Sequence, residues 1–208
     1  MNAAYKDWGW HSAEFGSAHG HLLPSLLAML GQPQGAILDV GCGNGAIARA
    51  LIANGYDVYG VDASESGIAI ANAVAPGRFF VLDVSSGQLP EELAGKRFDV
   101  VISTEVIEHL YDPRGFIAFA RQILESGGGG EFIVSTPYHG YLKNLALAMA
   151  GKFDGHFTVL WDGGHIKFFS RNTLEQMLRE QGFEVTGFAG AGRLPCLWKS
   201  MLVKAKTV

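Results

Sequence analysis

The chain has 208 residues, 48% hydrophobic and 17% charged, with a formal net charge of −4, a length at which one core buries roughly 70% of the unfolded chain's surface without help from disulfides or a structural metal. Two cysteines, Cys42 and Cys196, make neither a disulfide framework nor a zinc set, which leads us to expect a reducing, cytoplasmic setting. No apolar run approaches the roughly 20 residues that span a bilayer, no secretory pattern opens the sequence, and mild acidity without a basic run argues against a duplex-DNA binder.

Residues 1–34 read as an N-terminal helical extension, in which Tyr5, Trp8, Trp10 and His11 either close a site or pack as ordinary aromatics. From Gly35 onward, short β-branched runs alternate with helical patterns, the signature of a parallel sheet covered on both faces. Strands are expected at Ala36–Val40, Asp57–Asp62, Phe79–Asp83, Phe98–Thr104 and Glu131–Thr136. Helices are expected at Ala46–Asn54, stopped by Gly55, at Pro113–Leu124 after the N-cap Asp112, and at Ser170–Gln181, stopped by Gly182. Val185–Phe188 and Cys196–Ala205, joined through Gly190-Ala-Gly192, suggest a terminal antiparallel pair. No repeat or linker interrupts the pattern, so residues 1–208 read as one domain.

The stretch Ile37-Leu-Asp-Val-Gly41-Cys42-Gly43-Asn-Gly45 runs from a strand into a helix, where glycines let backbone turn tightly and approach a ligand. Taken alone it also satisfies the dinucleotide fingerprint. Asp39 separates the two readings, because a carboxylate two residues before Gly41 repels a pyrophosphate and attracts the ammonium and sulfonium of S-adenosylmethionine. Asp62 ends the second strand, where it can accept from ribose hydroxyls. Asp83 ends the third, where it can accept from an adenine amine between the apolar walls of Ala63 and Val84.

Leu38-Asp-Val-Gly-Cys-Gly-Asn-Gly45, Gly60-Val-Asp62-Ala-Ser and Phe98-Asp-Val-Val-Ile-Ser-Thr-Glu105 together resemble the successive signature segments of the class I S-adenosylmethionine-dependent methyltransferases. The resemblance covers residues 35–136 and implies a Rossmann-like, doubly wound α/β fold: a seven-stranded, mostly parallel sheet with an antiparallel last strand. It implies that Asp39, Gly41, Cys42, Gly43, Asp62 and Asp83 hold the cofactor, with Ser103 and Thr104 lining its methionine end.

Glu105-Val-Ile-Glu108-His109 follows the fourth strand, and a helical turn starting there would put both carboxylates and the imidazole on one face, at ligand-capable spacing. His165, before Lys167-Phe168, is a distant fourth member, and His139 a further base candidate. This pairing of segments is similar to the ubiquinone-biosynthesis O-methyltransferases and to the small-RNA 2′-O-methyltransferases, in which two glutamates and two histidines hold a divalent ion at the acceptor hydroxyl. The resemblance therefore implies Glu105, Glu108, His109 and His165 as catalytic residues, acting either as bases and orienting groups or as ligands of Mg²⁺, Mn²⁺ or Zn²⁺. Residues 138–169 exceed an ordinary crossover and read as a lid insertion. Within it Leu142, Leu145, Ala146 and Met149 form an apolar stripe beside Lys143 and Asn144, followed by Phe153, Phe157 and Trp161. We expect that helix to pack its stripe on the core, or to wall an apolar acceptor pocket or touch a lipid surface. The resulting expectation is methyl transfer to a small apolar or aromatic acceptor, at oxygen. An RNA 2′-O-methyltransferase, a nicotinamide-dependent oxidoreductase and a non-catalytic cofactor-binding module are the alternatives.

Overall fold

A computed structural model of the chain describes residues 9–16, 19–157, 160 and 164–208. The helices are α1 (His19–Leu30), α2 (Ala46–Ala53), α3 (Glu65–Val74), α4 (Pro113–Ser126), α5 (Tyr141–Met149), α6 (Phe153–Phe157) and α7 (Arg171–Glu180). The strands are β1 (Ala36–Val40), β2 (Asp57–Asp62), β3 (Phe79–Val81), β4 (Val100–Thr104), β5 (Glu131–Pro137), β6 (Phe183–Ala191) and β7 (Ser200–Thr207). They form one seven-stranded sheet in the order β3-β2-β1-β4-β5-β7-β6. The first five strands pair in parallel and β7 runs antiparallel to both β5 and β6, which is the mostly parallel, doubly wound sheet that the sequence implies. The chain reverses direction of travel at β1, so the crevice beyond the carboxyl ends of β1 and β4 is the switch point where ligands of such sheets bind.

Two apolar clusters cover the sheet. Leu22, Leu26, Ile47, Leu51, Ile68 and Ala71 bring α1, α2 and α3 onto one face. Phe116, Ile117, Ala120, Leu124, Leu174 and Leu178 bring α4 and α7 onto the other. Local signals start these helices where side chains satisfy the free backbone N–H groups. Asp112 accepts from Gly115 N at 2.9 Å with Pro113 following, and Ser170 and Thr173 form a reciprocal cap. Helix α3, which the sequence reading did not place, is capped by Ser64 accepting from Gly67 N at 3.0 Å.

Several boundaries differ from expectation for local reasons. Strand β3 stops at Val81, because Asp83 turns back to accept from Ser85 N and opens a 3-10 turn. Ladder pairing of β4 begins at Val100 rather than Phe98. The last hairpin bends over residues 192–199 instead of at Gly190–Gly192. Arg193 and Cys196 there hold φ values of 62° and 63°, which extended backbone does not adopt. The helical turn after β4 is a 3-10 turn over Ile107–His109, so it starts too late to include Glu105, whose φ is 57°. Glu105 therefore does not share a helical face with Glu108 and His109.

The lid carries a larger reversal. Helix α5 exposes its apolar stripe, with Tyr141 79%, Met149 77% and Leu142 53% accessible, and buries Lys143 at 3%. The expected packing of that stripe on the core is thus inverted. Trp161 lies outside the described residues, as do Tyr5 and Trp8. Among the described residues no helix is long and apolar enough to cross a membrane.

Phe132 joins the sheet to the α4–α7 layer: it is fully buried, with its ring 6.2 Å from Phe116 and 5.6 Å from Phe183. Phe132→Ala is expected to lower unfolding free energy by about 3–5 kcal/mol in a denaturant titration. The exposed Tyr111→Ala should change it by less than about 0.5 kcal/mol.

Candidate functional site

The glycine loop wraps the end of β1 in a way that side chains would block. Gly41 has φ 83° and a Cβ there would lie 2.3 Å from Val106 Cγ2; Gly43 has φ 54° and a Cβ there would lie 2.7 Å from the Trp10 ring. Gly41 N and Cys42 N donate to Val61 O at 2.8 and 3.1 Å, which fastens the loop to β2. Asp62 completes the hold: one carboxylate oxygen accepts from Gly43 N and the other from Ser64 N, both at 2.8 Å. Cys42 is buried beneath, while Ala63 is half-buried at the rim.

Asp39 is fully buried and neither of its oxygens has a partner among the described residues. Burial first, and the charge of Asp62 second, lift its carboxyl to about 8. A buried carboxyl without donors is costly, and a cation placed beside it would restore its charge and satisfy it. A ligand that offers an ammonium fits this position; a pyrophosphate does not. Ser103, also fully buried, holds an unpartnered hydroxyl nearby at the end of β4, next to half-buried Thr104. Asp83 is exposed and spends one oxygen on its own turn, with Val84 half-buried beside it. The residues present therefore fit S-adenosylmethionine.

The N-terminal segment straps across this loop. Asn44 Nδ2 donates to Ser12 O and Glu14 O, each at 2.9 Å, Arg49 donates to Ala13 O, and Trp10 N donates to Ser66 Oγ at 3.3 Å. A recess of about 280 Å³ lies between the strap and Asn44, lined by Trp10, His11 and Phe15. Trp10 thus closes the loop side.

Beyond β4 three ligand-type groups converge. Glu108, His109 and His165 offer atoms that all lie within 4.8 Å of one another. His165 arrives from far along the chain because Ile166 N and Lys167 N both donate to Glu108 O, at 2.9 and 3.0 Å. Glu108 is fully buried and its carboxylate oxygens have no hydrogen-bond partner among the described residues, so burial and nearby Glu105 hold its carboxyl well above the usual range. His109 Nδ1 lies 3.3 Å from Gly164 O. A carbonyl only accepts, so Nδ1 donates to it, and Nε2 lies 3.9 Å from Glu108 Oε1. Burial, with His109 next in weight, lowers His165 to about 4, leaving the neutral imidazole that a metal requires. The donor set suits a divalent cation such as Mg²⁺, Mn²⁺ or Zn²⁺.

Glu105 is held apart from this cluster. Its oxygens accept from Ser135 Oγ at 2.9 Å and Ser200 Oγ at 3.1 Å, and burial raises it to about 7. His139 is buried with both ring nitrogens unpartnered, stacked on Phe157 at 5.7 Å and edge-on to Phe168 at 5.2 Å. Phe153, Asp154, Phe157 and Phe168 line a recess of about 310 Å³. Sequence reasoning missed Ser135, Ser200 and His156, which carry no local signal, and the role of Lys143. For Lys143 a signal exists: a lone cation beside an apolar stripe is ambiguous about which face of the helix is buried.

Comparison with known proteins shows the family to which the chain belongs. A family model described as a methyltransferase domain matches residues 18–187. Proteins named ubiquinone biosynthesis O-methyltransferase are similar: the one from Cereibacter sphaeroides is 30% identical over 78% of this chain and 65% of its own length. The one from Azorhizobium caulinodans is 35% identical over 74% and 60%. The chain thus spans under two thirds of these relatives. Among solved structures, magnesium protoporphyrin IX methyltransferase from Synechocystis with bound SAH superposes with a TM-score of 0.66 at 21% identity, over 90% of this chain and 82% of that one. An S-adenosylmethionine dependent methyltransferase from Mesorhizobium loti does so at 0.64 and 19%, over 88% and 96%. These two likenesses concern the fold.

Asp39 generates a pH dependence. Its folded-state carboxyl keeps a proton up to about 8 whereas the unfolded chain loses it near 3.8, so the folded state binds more protons between these values and stability falls as pH rises. Asp39→Asn is expected to raise the melting temperature of the ligand-free protein at pH 7–8, leave it unchanged near pH 4, and weaken S-adenosylhomocysteine binding. Thermal melts across pH and calorimetric titration check all three.

Proposed function

We propose that this chain, which belongs to the class I S-adenosylmethionine-dependent methyltransferases, methylates a hydroxyl oxygen of a small apolar or aromatic acceptor. The observation that carries the reading is the buried Glu108 with its two imidazole neighbours, placed just past the strand end where the cofactor's methionine portion would lie. A hydroxyl is a poor nucleophile at neutral pH, so such a site must lower its pKa or remove its proton and hold it in line with the methyl carbon. S-adenosylmethionine, when bound, supplies a methyl group on a sulfonium leaving group. Asp39 would meet the cofactor's cationic end, Asp62 its ribose and Asp83 its adenine, while Gly41 and Gly43 would keep the loop close, with Cys42 beneath it and Ala63 and Val84 flanking the ring.

Glu108, His109 and His165 would hold a divalent cation, which supplies Lewis acidity toward the acceptor oxygen. His109, with its Nδ1 proton fixed on Gly164 O, orients the hydroxyl or takes its proton at Nε2. Glu105, braced by Ser135 and Ser200, is a buried carboxyl that is negative or neutral according to pH. The aromatic recess formed by Phe153, Phe157 and Phe168 supports a ring-bearing acceptor. The outward stripe of Tyr141, Leu142, Leu145 and Met149 supports peripheral contact with a lipid surface, where an apolar acceptor would reside. The names of the similar proteins favour oxygen as the methylated atom. They give no support to the nicotinamide or RNA readings.

Transfer of labelled methyl from S-adenosylmethionine to catechols tests the proposal. Glu108→Gln and His165→Ala are each expected to cut turnover by about 10²-fold or more. Exhaustive chelation should do the same, with recovery on adding Mg²⁺, Mn²⁺ or Zn²⁺. Full turnover in chelator sinks the metal, and absence of transfer to any hydroxyl acceptor sinks the reading.

A further inference from the structure

Residues 9–16 join no helix or strand, and side chains from the glycine loop and α2 hold them in place. Asn44 is buried with its amide fully engaged. Its Nδ2 donates to Ser12 O and Glu14 O at 2.9 Å each, while its Oδ1 accepts from Ala46 N at 3.2 Å at the start of α2. Arg49, on the same helix, donates to Ala13 O between those two carbonyls. Three consecutive strap carbonyls are thus held by two side chains, in a segment that has no ladder to satisfy its backbone.

Trp10 ties the strap to the second cofactor loop. Its N donates to Ser66 Oγ at 3.3 Å, and Ser66 Oγ lies 3.1 Å from Ser64 Oγ, which in turn accepts from Gly67 N at 3.0 Å. The indole ring touches both loops at once: a Cβ on Gly43 would lie 2.7 Å from it, and a Cβ on Gly67 would lie 3.0 Å from it. The loops also meet each other, since that Gly67 Cβ would lie 2.7 Å from Gly43 O. The same two loops are joined by the Asp62 carboxylate, through Gly43 N and Ser64 N, where the cofactor's ribose would bind. A ribose reaching that carboxylate has to enter between the loops, so they must move apart to let it in or out. While Trp10 spans them and Asn44 and Arg49 hold the strap, they stay together. Ser12, Glu14 and Phe15 are exposed, so water replaces the strap's bonds when it lifts, which places it at the low end of local stability.

We propose that residues 9–16 are a gate on cofactor exchange: the loops after β1 and β2 part to admit S-adenosylmethionine, and to release S-adenosylhomocysteine, only when the strap lifts from Asn44, Arg49 and Ser66. Asn44 and Arg49 are the latch, and Trp10 is the bar across the two loops. Opening of this kind takes place on the time scale of turnover and sets the rate of product release in many enzymes. The inference rests on the reading of these loops as the cofactor site.

The experiment measures exchange in both directions, with labelled S-adenosylhomocysteine mixed with the protein to follow association and then chased by unlabelled ligand to follow release. Wild type is compared with Asn44→Asp and Arg49→Met. The aspartate keeps the acceptor for Ala46 N but turns an oxygen toward Ser12 O and Glu14 O, so it unlatches the strap without removing the start of α2. The methionine keeps the apolar stem of Arg49 and removes its donors, from a position outside both loops, so it serves even where the Asn44 variant folds poorly. A gate works in both directions, so association and release should speed up together, about tenfold for the two bonds lost at Asn44 and about threefold for the one at Arg49, with Kd changing by less than about twofold. Unaltered rates in both variants overturn the gate. Faster release without faster association marks a damaged site rather than an opened one and overturns it as well. Wild type that takes up no S-adenosylhomocysteine overturns the cofactor reading itself.

Discussion

The carboxylate of Asp62 fastens two loops at once, accepting from Gly43 N in the turn after β1 and from Ser64 N in the turn after β2. Backbone N–H groups at strand ends need partners, and here a single side chain satisfies two of them while keeping the glycine loop open to a ligand. Charge-assisted bonds of this kind are shorter and stronger than neutral ones. Helices α2 and α3 start from those loops, so their packing through Ile47, Leu51, Ile68 and Ala71 depends on the same anchor. The anchor also has a cost, since its charge helps to keep neighbouring Asp39 protonated until a cation arrives.

Burial without compensation marks the working end of the molecule. Asp39, Glu108 and His139 are buried with side-chain polar atoms that make no hydrogen bond among the described residues, and buried Lys143 makes one, to Lys199 O. Such groups reduce stability and are found together in places where a ligand supplies the missing partner. The apolar groups Phe153, Phe157 and Phe168 give an acceptor surface to bury, while the lid helix turns its remaining apolar side outward.

The parallel core was legible because its strands are continuous apolar runs and its helices begin at unmistakable caps, as with Asp112-Pro113 and Ser170. Two of the three acids fall where the pattern expects, Asp39 inside β1 and Asp62 at the last position of β2, while β3 stops short of Asp83. Boundaries failed where one side chain diverted the backbone, as Asp83 does at the end of β3. The proposed grouping of Glu105 with Glu108 and His109 failed for a related reason: a left-handed residue sends the Glu105 carboxylate toward Ser135 and Ser200. Periodicity also misjudged α5, because an apolar stripe identifies an amphipathic helix without saying which face meets the protein.

The sequence by itself determined the sheet, the glycine loop and the acidic strand ends, because hydrophobic periodicity and tight turns act over a few neighbouring residues. Only the tertiary structure decided which distant groups meet. His165 reaches Glu108 through two backbone bonds formed across 58 and 59 positions of chain, and buried Lys143 meets Lys199 O from 56 positions away. Such meetings depend on how whole elements pack, and no local pattern encodes that.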